Sequence, residues 1–306
     1  MSPFASTIPR ILLSGASGML GAALRQAFVD RHESVLQLVR RSAAANQLQW
    51  NPASRPAFAQ AEALEGLLAA IHLSGANVAA RRWSPAYKRE MTTSRVTSTQ
   101  ALAETLAALT HPPKVLLVAS ATGFYGDRGE ELLDETSAAG SGFLSELCQQ
   151  WEAAARPAAK AGIRVVQLRF GVILGPGEGA LSRMAPLFRL GLGGPLGTGR
   201  QWMSWISLRD TVAAILFALE TASLAGPVNL TAPNPVTNQT FTDILARQLQ
   251  QPAWLRAPAF ALRLGLGQMA DEVLLASVRA YPSKLITNGF RFTDAAVDTA
   301  LAAALK

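Results

Sequence analysis

Short apolar runs and helix-periodic stretches alternate from the start of the chain. Ile11–Ser14 is a compact apolar run and predicts a strand. Met19–Asp30 carries Leu20, Leu24 and Phe28 at four-residue spacing and predicts a helix. Ser34–Val39 predicts the second strand and Ala70–Leu73 a third. Ser94–Leu109 predicts a helix, and Val115–Ser120 a strand rich in Val and Leu. Phe143–Ala161 predicts a helix that Gly162 ends, followed by a strand over Arg164–Arg169. Strands separated by helices pair in parallel, which predicts an α/β fold with a doubly wound parallel sheet. Strands buried on both faces are almost wholly apolar; Val115–Val118 is, and Val165–Leu168 is mostly so.

The texture changes after Gly171. Glycine-rich loops occupy Gly175–Gly179 and Gly191–Gly199, with Trp202-Met203-Ser204-Trp205-Ile206 after them. Asp210–Leu219 predicts a helix and Pro227–Leu230 a short strand. From Ala232 onward prolines and helical segments alternate without a second glycine motif. The expected organisation is a core domain over residues 1–175, to which 206–230 return. Residues 176–205 and 231–306 then form a smaller, α-rich C-terminal lobe.

Composition narrows the setting. The chain has 306 residues, 49% of them hydrophobic and 16% charged, enough for a large core and against disorder. No apolar run approaches the roughly 20 residues of a membrane span. Met1–Pro9 is short and polar and does not read as a secretory signal. The single cysteine, Cys148, precludes an intramolecular disulfide and fits a reducing cytoplasm. With three histidines on separate elements, no metal-ligand spacing appears. The formal charge of +7 comes from scattered Lys and Arg, with no run of five and no aromatic–basic stripe. That favours a small anionic ligand over nucleic acid or a membrane. The expected assembly is a monomer or homodimer working on a small-molecule substrate.

Ser14-Gly15-Ala16-Ser17-Gly18-Met19-Leu20-Gly21 joins the first strand to the first helix with GxxGxxG spacing. Gly15 permits a tight turn, Gly18 a close backbone approach to a diphosphate, and Gly21 close helix–strand packing. The helix start at Ser17, Met19 and Leu20 then offers free N–H groups and a positive dipole end. A strand before and a helix after is the context a dinucleotide site requires, although a βα turn without a ligand shares the pattern. The end of the second strand selects the nucleotide. An acid there would bind the 2′-hydroxyl of NAD(H). Here Arg40-Arg41 follow Leu38-Val39, and guanidinium groups suit the 2′-phosphate of NADP(H). A solvated basic turn is the alternative.

These residues resemble the extended short-chain dehydrogenase/reductase superfamily, and more closely its atypical, YfcH-like "epimerase family" branch. Further markers are Leu73-Ser74-Gly75-Ala76-Asn77, Arg81-Arg82-Trp83, Ser94-Arg95 and Ser120-Ala121-Thr122-Gly123-Phe124-Tyr125-Gly126. Trp151-Glu152, Leu168–Gly175, Gly193–Gly199, Trp205-Ile206 and Ala232–Val236 complete the set, in order, along nearly the whole chain. The resemblance implies a Rossmann-type fold and a cofactor track. Leu73, Ser74 and Gly75 would border the cofactor, Glu90 and Arg95 would sit on the adjacent helix, and Ile173 would flank the nicotinamide. An exposed charged pair for Glu90 and Arg95, and a core position for Ile173, remain open.

The parent superfamily works with a Ser or Thr, a Tyr, and a Lys four residues after the Tyr, which lowers the phenol pKa for proton transfer. This chain departs from that pattern. The corresponding segment reads Gly142-Phe143-Leu144-Ser145-Glu146-Leu147-Cys148, so Phe and Leu stand where Tyr and Lys belong. Four residues after Tyr87, Tyr125 and Tyr281 lie Met91, Gly129 and Leu285. The candidate catalytic groups that remain are Ser120, Thr122 and Tyr125. Their alternatives are a strand-end cap for Ser120 and packing for Tyr125. Cys148 reads as a buried hydrophobe. Trp202 and Trp205 are expected either at the substrate cleft or in a core. Arg183 and Arg200 either meet an anionic substrate or stay solvated. Two functions fit: an NADP(H)-dependent oxidoreductase or epimerase-type enzyme on a small carbonyl or sugar-like substrate, or a non-catalytic NADP(H)-binding sensor.

Overall fold

In chain order the strands are β1 (Arg10–Ser14), β2 (Ser34–Val39), β3 (Gln47–Gln49), β4 (Ala69–His72), β5 (Val115–Ala121), β6 (Leu132–Leu133) and β7 (Arg164–Phe170), then β8 (Val172–Leu174), β9 (Trp202–Met203), β10 (Trp205–Ser207), β11 (Gly226–Leu230), β12 (Val236–Thr237) and β13 (Arg279–Ala280). The computed structural model describes residues 10–306, so the expectation for Met1–Pro9 falls outside the described residues. Seven strands form one sheet in the order β11-β7-β5-β4-β1-β2-β3, every neighbour parallel. The order reverses between β1 and β4, where Ser14 lies beside His72 at the carboxyl ends. In a doubly wound sheet that switch point is where ligands bind.

Alternate residues of each strand feed opposite faces, as a period of two requires. Leu12, Leu36, Ala70, Leu116 and Val118 pack with Leu102, Leu106, Trp151 and Ala158 on one side. Leu13, Ile71, Leu117 and Val166 pack with Leu24, Phe28, Ala214 and Ile215 on the other. The first seven helices are α1 (Met19–Asp30), α2 (Pro85–Thr92), α3 (Ser98–Ala107), α4 (Phe143–Ala153), α5 (Arg156–Lys160), α6 (Gly179–Arg189) and α7 (Leu208–Glu220); α1 and α7 cover one face of the sheet and α3, α4 and α5 the other. The fold is a Rossmann-type α/β sandwich.

Boundaries differ from the sequence expectation where local chemistry overrides periodicity. The helix expected from Ser94 begins earlier, at Pro85: Ser84 caps it by accepting from Tyr87 N at 3.1 Å, and Pro85 occupies its first turn. A π turn at Thr93–Thr97 joins it to α3. The single helix expected over Phe143–Ala161 is two, because Pro157 has no N–H with which to extend α4. Gly162, at φ +85°, ends the second as its position predicts. The short, polar edge strand β3 carries no periodic signal.

The C-terminal lobe adds α8 (Asn238–Leu249), α9 (Ala259–Leu266), α10 (Ser283–Thr287) and α11 (Val297–Ala304). Trp205, Phe241 and Leu301 form its core with α6. These C-terminal elements are laced back onto the part of the chain that carries the sheet. β13 pairs in parallel with β6, and Glu135 accepts from Asn229 N and Lys284 N. Among the described residues no helix is long and apolar enough to cross a membrane.

Candidate active site and cofactor cradle

The turn after β1 is shaped by what its glycines exclude. Gly15 has φ +72°, and a Cβ there would lie 3.0 Å from the Leu73 carbonyl carbon. A Cβ on Gly21 would lie 2.2 Å from Gly15 O, so only glycine lets α1 sit this close to the turn. Above Gly18 the space is open; its Cβ would meet only Gly15 O, at 3.9 Å. Gly18 is the N-cap of α1 and supplies no side-chain cap, which leaves the first N–H groups facing outward. Met19 N donates to the Glu178 carboxylate at 2.9 Å. An anion therefore already rests where the helix dipole attracts one, as a stand-in for a phosphate oxygen, and the turn fits a diphosphate.

The Gly175–Gly179 loop closes over this turn. A Cβ on Gly175 would strike Met19 Sδ at 2.7 Å, and Gly179 lies between Met19 Cε and Ile173 O. Ile173, on β8, pairs with Ile206 of β10 and packs half-buried on the sheet core. Met19, Ile173, Gly175 and Glu178 thus converge on one spot. Ser17 is exposed beside it, and Leu20 packs half-buried below. At the end of β2, Arg40 and Arg41 are exposed, and neither has a hydrogen-bond or ion-pair partner among the described residues.

The end of β4 is fixed from beneath. Ser14 Oγ accepts from Leu73 N at 3.1 Å and Ser74 N at 3.3 Å, and its hydroxyl is 2.6 Å from His72 Nδ1. His72 Nε2 is 3.0 Å from Ser98 Oγ, which donates to Ser94 O at 2.7 Å. That set of partners assigns the His72 proton to Nε2. Burial pushes the His72 pKa down to about 4 from 6.5. The unfolded chain binds this proton near pH 6.5 and the folded one only near pH 4. Stability is therefore expected to fall as pH drops through that window. Thermal melts of wild type and His72→Gln across the window check this; parallel profiles would remove His72 as the titrating group.

Gly75 abuts Arg95, whose Cζ would be 3.1 Å from a Cβ there. Arg95 is buried, donates to Ala76 O at 2.8 Å and Met91 O at 3.3 Å, and stacks on Trp151 at 5.0 Å. As placed it shapes the Gly75–Ala76 turn. Glu90 forms a half-exposed ion pair with Arg81 at 2.6 Å. The two do not pair with each other.

The three candidate hydroxyls have different fates. Ser120 is 2% exposed and donates to Glu152 at 2.7 Å. Arg169 holds the same carboxylate at 2.8 and 2.9 Å and donates to the Tyr125 hydroxyl at 3.1 Å. Tyr125 is wholly buried, its hydroxyl 2.7 Å from Asn229 Oδ1 and 2.9 Å from Asp134 O. Burial pushes the phenol pKa up, so it stays protonated. Of the two readings of Tyr125, the structure has the packing one: its side chain is a core hydrogen-bonding group. Thr122, half-buried in the turn after β5, is the candidate hydroxyl with no intramolecular partner among the described residues. Cys148 is buried, its pKa pushed up to about 12, and stays a thiol.

At the start of α4, Phe143 packs edge-on to Trp83 at 5.3 Å, with Lys88 Nζ 4.9 Å from its ring centroid. Leu147 joins Trp83, Tyr87 and Met91 in a small core. The N-terminus of α4 is held by Glu272 of the C-terminal lobe, which accepts from Phe143 N at 3.1 Å and Leu144 N at 2.7 Å. Trp205 is a core residue, whereas Trp202 is half-buried and donates to Glu130 at 2.6 Å. Arg183 donates to Ala79 O at 2.5 Å, tying α6 across to the loop after Gly75, and Arg200 is exposed. Sequence reading missed Glu178 and Glu272. Glu178 is the one acid between the glycines of 175–179, and that placement is a readable signal. Glu272 lies in an ordinary polar helix-period stretch and carries none.

Residues 11–230 match the NAD dependent epimerase/dehydratase family, and 257–304 match a domain of unknown function, DUF1731. Epimerase family protein Mb2239 of Mycobacterium bovis is 44% identical over 292 residues, 95% of this chain and 96% of the relative. Epimerase family protein YfhF of Bacillus subtilis is 36% identical, over 95% and 96% of the two chains. The crystal structure of human epimerase family protein SDR39U1 with NADPH superposes with a TM-score of 0.89 at 30% identity, covering 96% of this chain and 98% of that one. A nucleoside-diphosphate sugar epimerase from Corynebacterium glutamicum gives 0.82 at 34% identity, covering 98% of this chain and 58% of the longer relative. With the glycine cradle, the parallel sheet and the C-terminal domain all in place, the chain belongs to the NAD-dependent epimerase/dehydratase family, as an atypical short-chain dehydrogenase/reductase of the epimerase-family type.

Proposed function

We propose that the protein is an NADP(H)-dependent enzyme, an oxidoreductase or epimerase acting on a small carbonyl or sugar-like substrate in the cytoplasm. The observation that carries this is the pairing of an anion-accepting α1 N-terminus with two guanidinium groups at the end of β2 that have no partner among the described residues. The backbone of Gly15–Gly21 holds the diphosphate, Arg40 and Arg41 hold the 2′-phosphate, and Leu73, Ser74 and Ile173 border the rest of the cofactor. The NADPH named with the human relative supports that choice of nucleotide. When bound, the nicotinamide supplies or accepts a hydride. This chain contributes the Thr122 hydroxyl, which donates to a substrate oxygen and polarises it.

A second reading, an NADP(H)-binding sensor, draws on one observation. Phe143 and Leu147 pack into apolar surroundings, and neither can move a proton. NADPH oxidation against quinones, aldehydes and ketosugars separates the two. The enzyme reading expects turnover that Thr122→Val lowers about 100-fold, in the range of a lost oxyanion donor, with Tm unchanged. Tyr125→Phe is expected to lower Tm instead, with kcat kept. Tight NADPH binding without turnover anywhere on the panel would favour the sensor.

A further inference from the structure

We propose that the Gly175–Gly179 loop is a gate on the cofactor site, with Glu178 as its latch. This rests on the dinucleotide reading above. The Glu178 carboxylate accepts from Met19 N at 2.9 Å, the N–H that a bound diphosphate needs. Two anions cannot share one donor at a helix N-terminus, since repulsion adds to the competition for the hydrogen bond. Glu178 must leave before the diphosphate can bind.

The loop is built to let it leave. Gly177 and Gly179 have φ +76° and +80°, so the segment turns through conformations that side-chain-bearing residues resist. A Cβ on Gly177 would touch nothing within 4 Å. Beneath Gly175, Pro176 and Gly177 lies a cavity of about 280 Å³, bounded by Leu181, Ala185 and Leu305 and not by α1. The loop thus has room on a side away from the turn it covers. Its anchors are Met19 against Gly175 at one end and the start of α6 at the other. The displaced latch uncovers the first turn of α1 and shifts the contact of Met19 beside Ile173. A closed latch lowers the apparent affinity by the fraction of molecules in which the loop stands open.

NADPH titrations followed by fluorescence, on the whole protein and on Glu178→Gln and Glu178→Ala, test this. Both variants are expected to bind NADPH about three- to tenfold more tightly, because the competing charge is gone. Adenosine 2′-monophosphate, which carries the 2′-phosphate and lacks a diphosphate, should bind all three proteins alike. Unchanged NADPH affinity in both variants would overturn the gate and leave the cofactor reading standing. Weaker binding would also overturn it, making Glu178 a cofactor contact. Failure of all three proteins to bind either nucleotide would remove the dinucleotide reading itself and the gate with it.

Discussion

Arg169→Met is expected to cost about 3–5 kcal/mol of stability, the range for breaking one half of a buried ion pair. Arg169 is 3% exposed and holds both oxygens of Glu152. Removing it leaves a carboxylate beside the carboxyl ends of β5 and β7 with only the Ser120 hydroxyl to answer it, and takes a donor from Tyr125. Nothing apolar can replace that charge, and water has little access. By the usual scaling, Tm should fall by roughly 5–15 °C. The double variant Arg169→Met with Glu152→Leu removes both charges and is expected to recover much of the loss, because the penalty lies in the orphaned carboxylate. Thermal melts of the two single variants and the double decide it. Additive losses in the double variant would show that packing, and not charge, sets the cost.

Arg40→Ala with Arg41→Ala is expected to weaken NADPH roughly 30- to 100-fold while changing NADH less than about threefold. Each charge-assisted hydrogen bond to a phosphate contributes on the order of 1.0–1.4 kcal/mol once exposure is allowed for. Two such bonds give the stated range, and NADH has no 2′-phosphate to lose. Both guanidinium groups are free of other partners among the described residues, so their loss removes no structural bond. Equal weakening of the two nucleotides, measured by titration under the same salt, would sink the 2′-phosphate assignment. Raised salt should erode NADPH binding faster than NADH binding, since the extra contacts are exposed.

Much of the sheet was legible in the sequence because its strands announce themselves. β1 and β5 are largely apolar runs of the length a doubly buried strand needs, β7 is mostly so, and β1 leads straight into a helix of matching period. The glycine turn was legible for a similar reason: Gly15 and Gly21 answer steric demands that one residue type meets. What escaped was chemistry created by folding. Tyr125 follows a strand end, where a hydroxyl reads as available, and only the fold brings Asn229, Asp134 and Arg169 around it. Glu178 meets Met19 across 159 positions of chain, a distance that no local pattern encodes. The break before Pro157 was readable, since a proline in mid-helix carries its own warning.

The β6–β13 pairing bears on how the two recognised segments relate. Leu132 and Leu133 come from the first of them, Arg279 and Ala280 from the second, and the two strands share a ladder. Ser277 N bonds Asp127 at 3.1 Å close by, and Glu272 supplies the cap for α4. A ladder and a helix cap that draw half their atoms from each segment tie the stability of one to the other. Residues 11–230 and 257–304 are accordingly expected to unfold in a single transition, and two separate transitions in a thermal melt would overturn this.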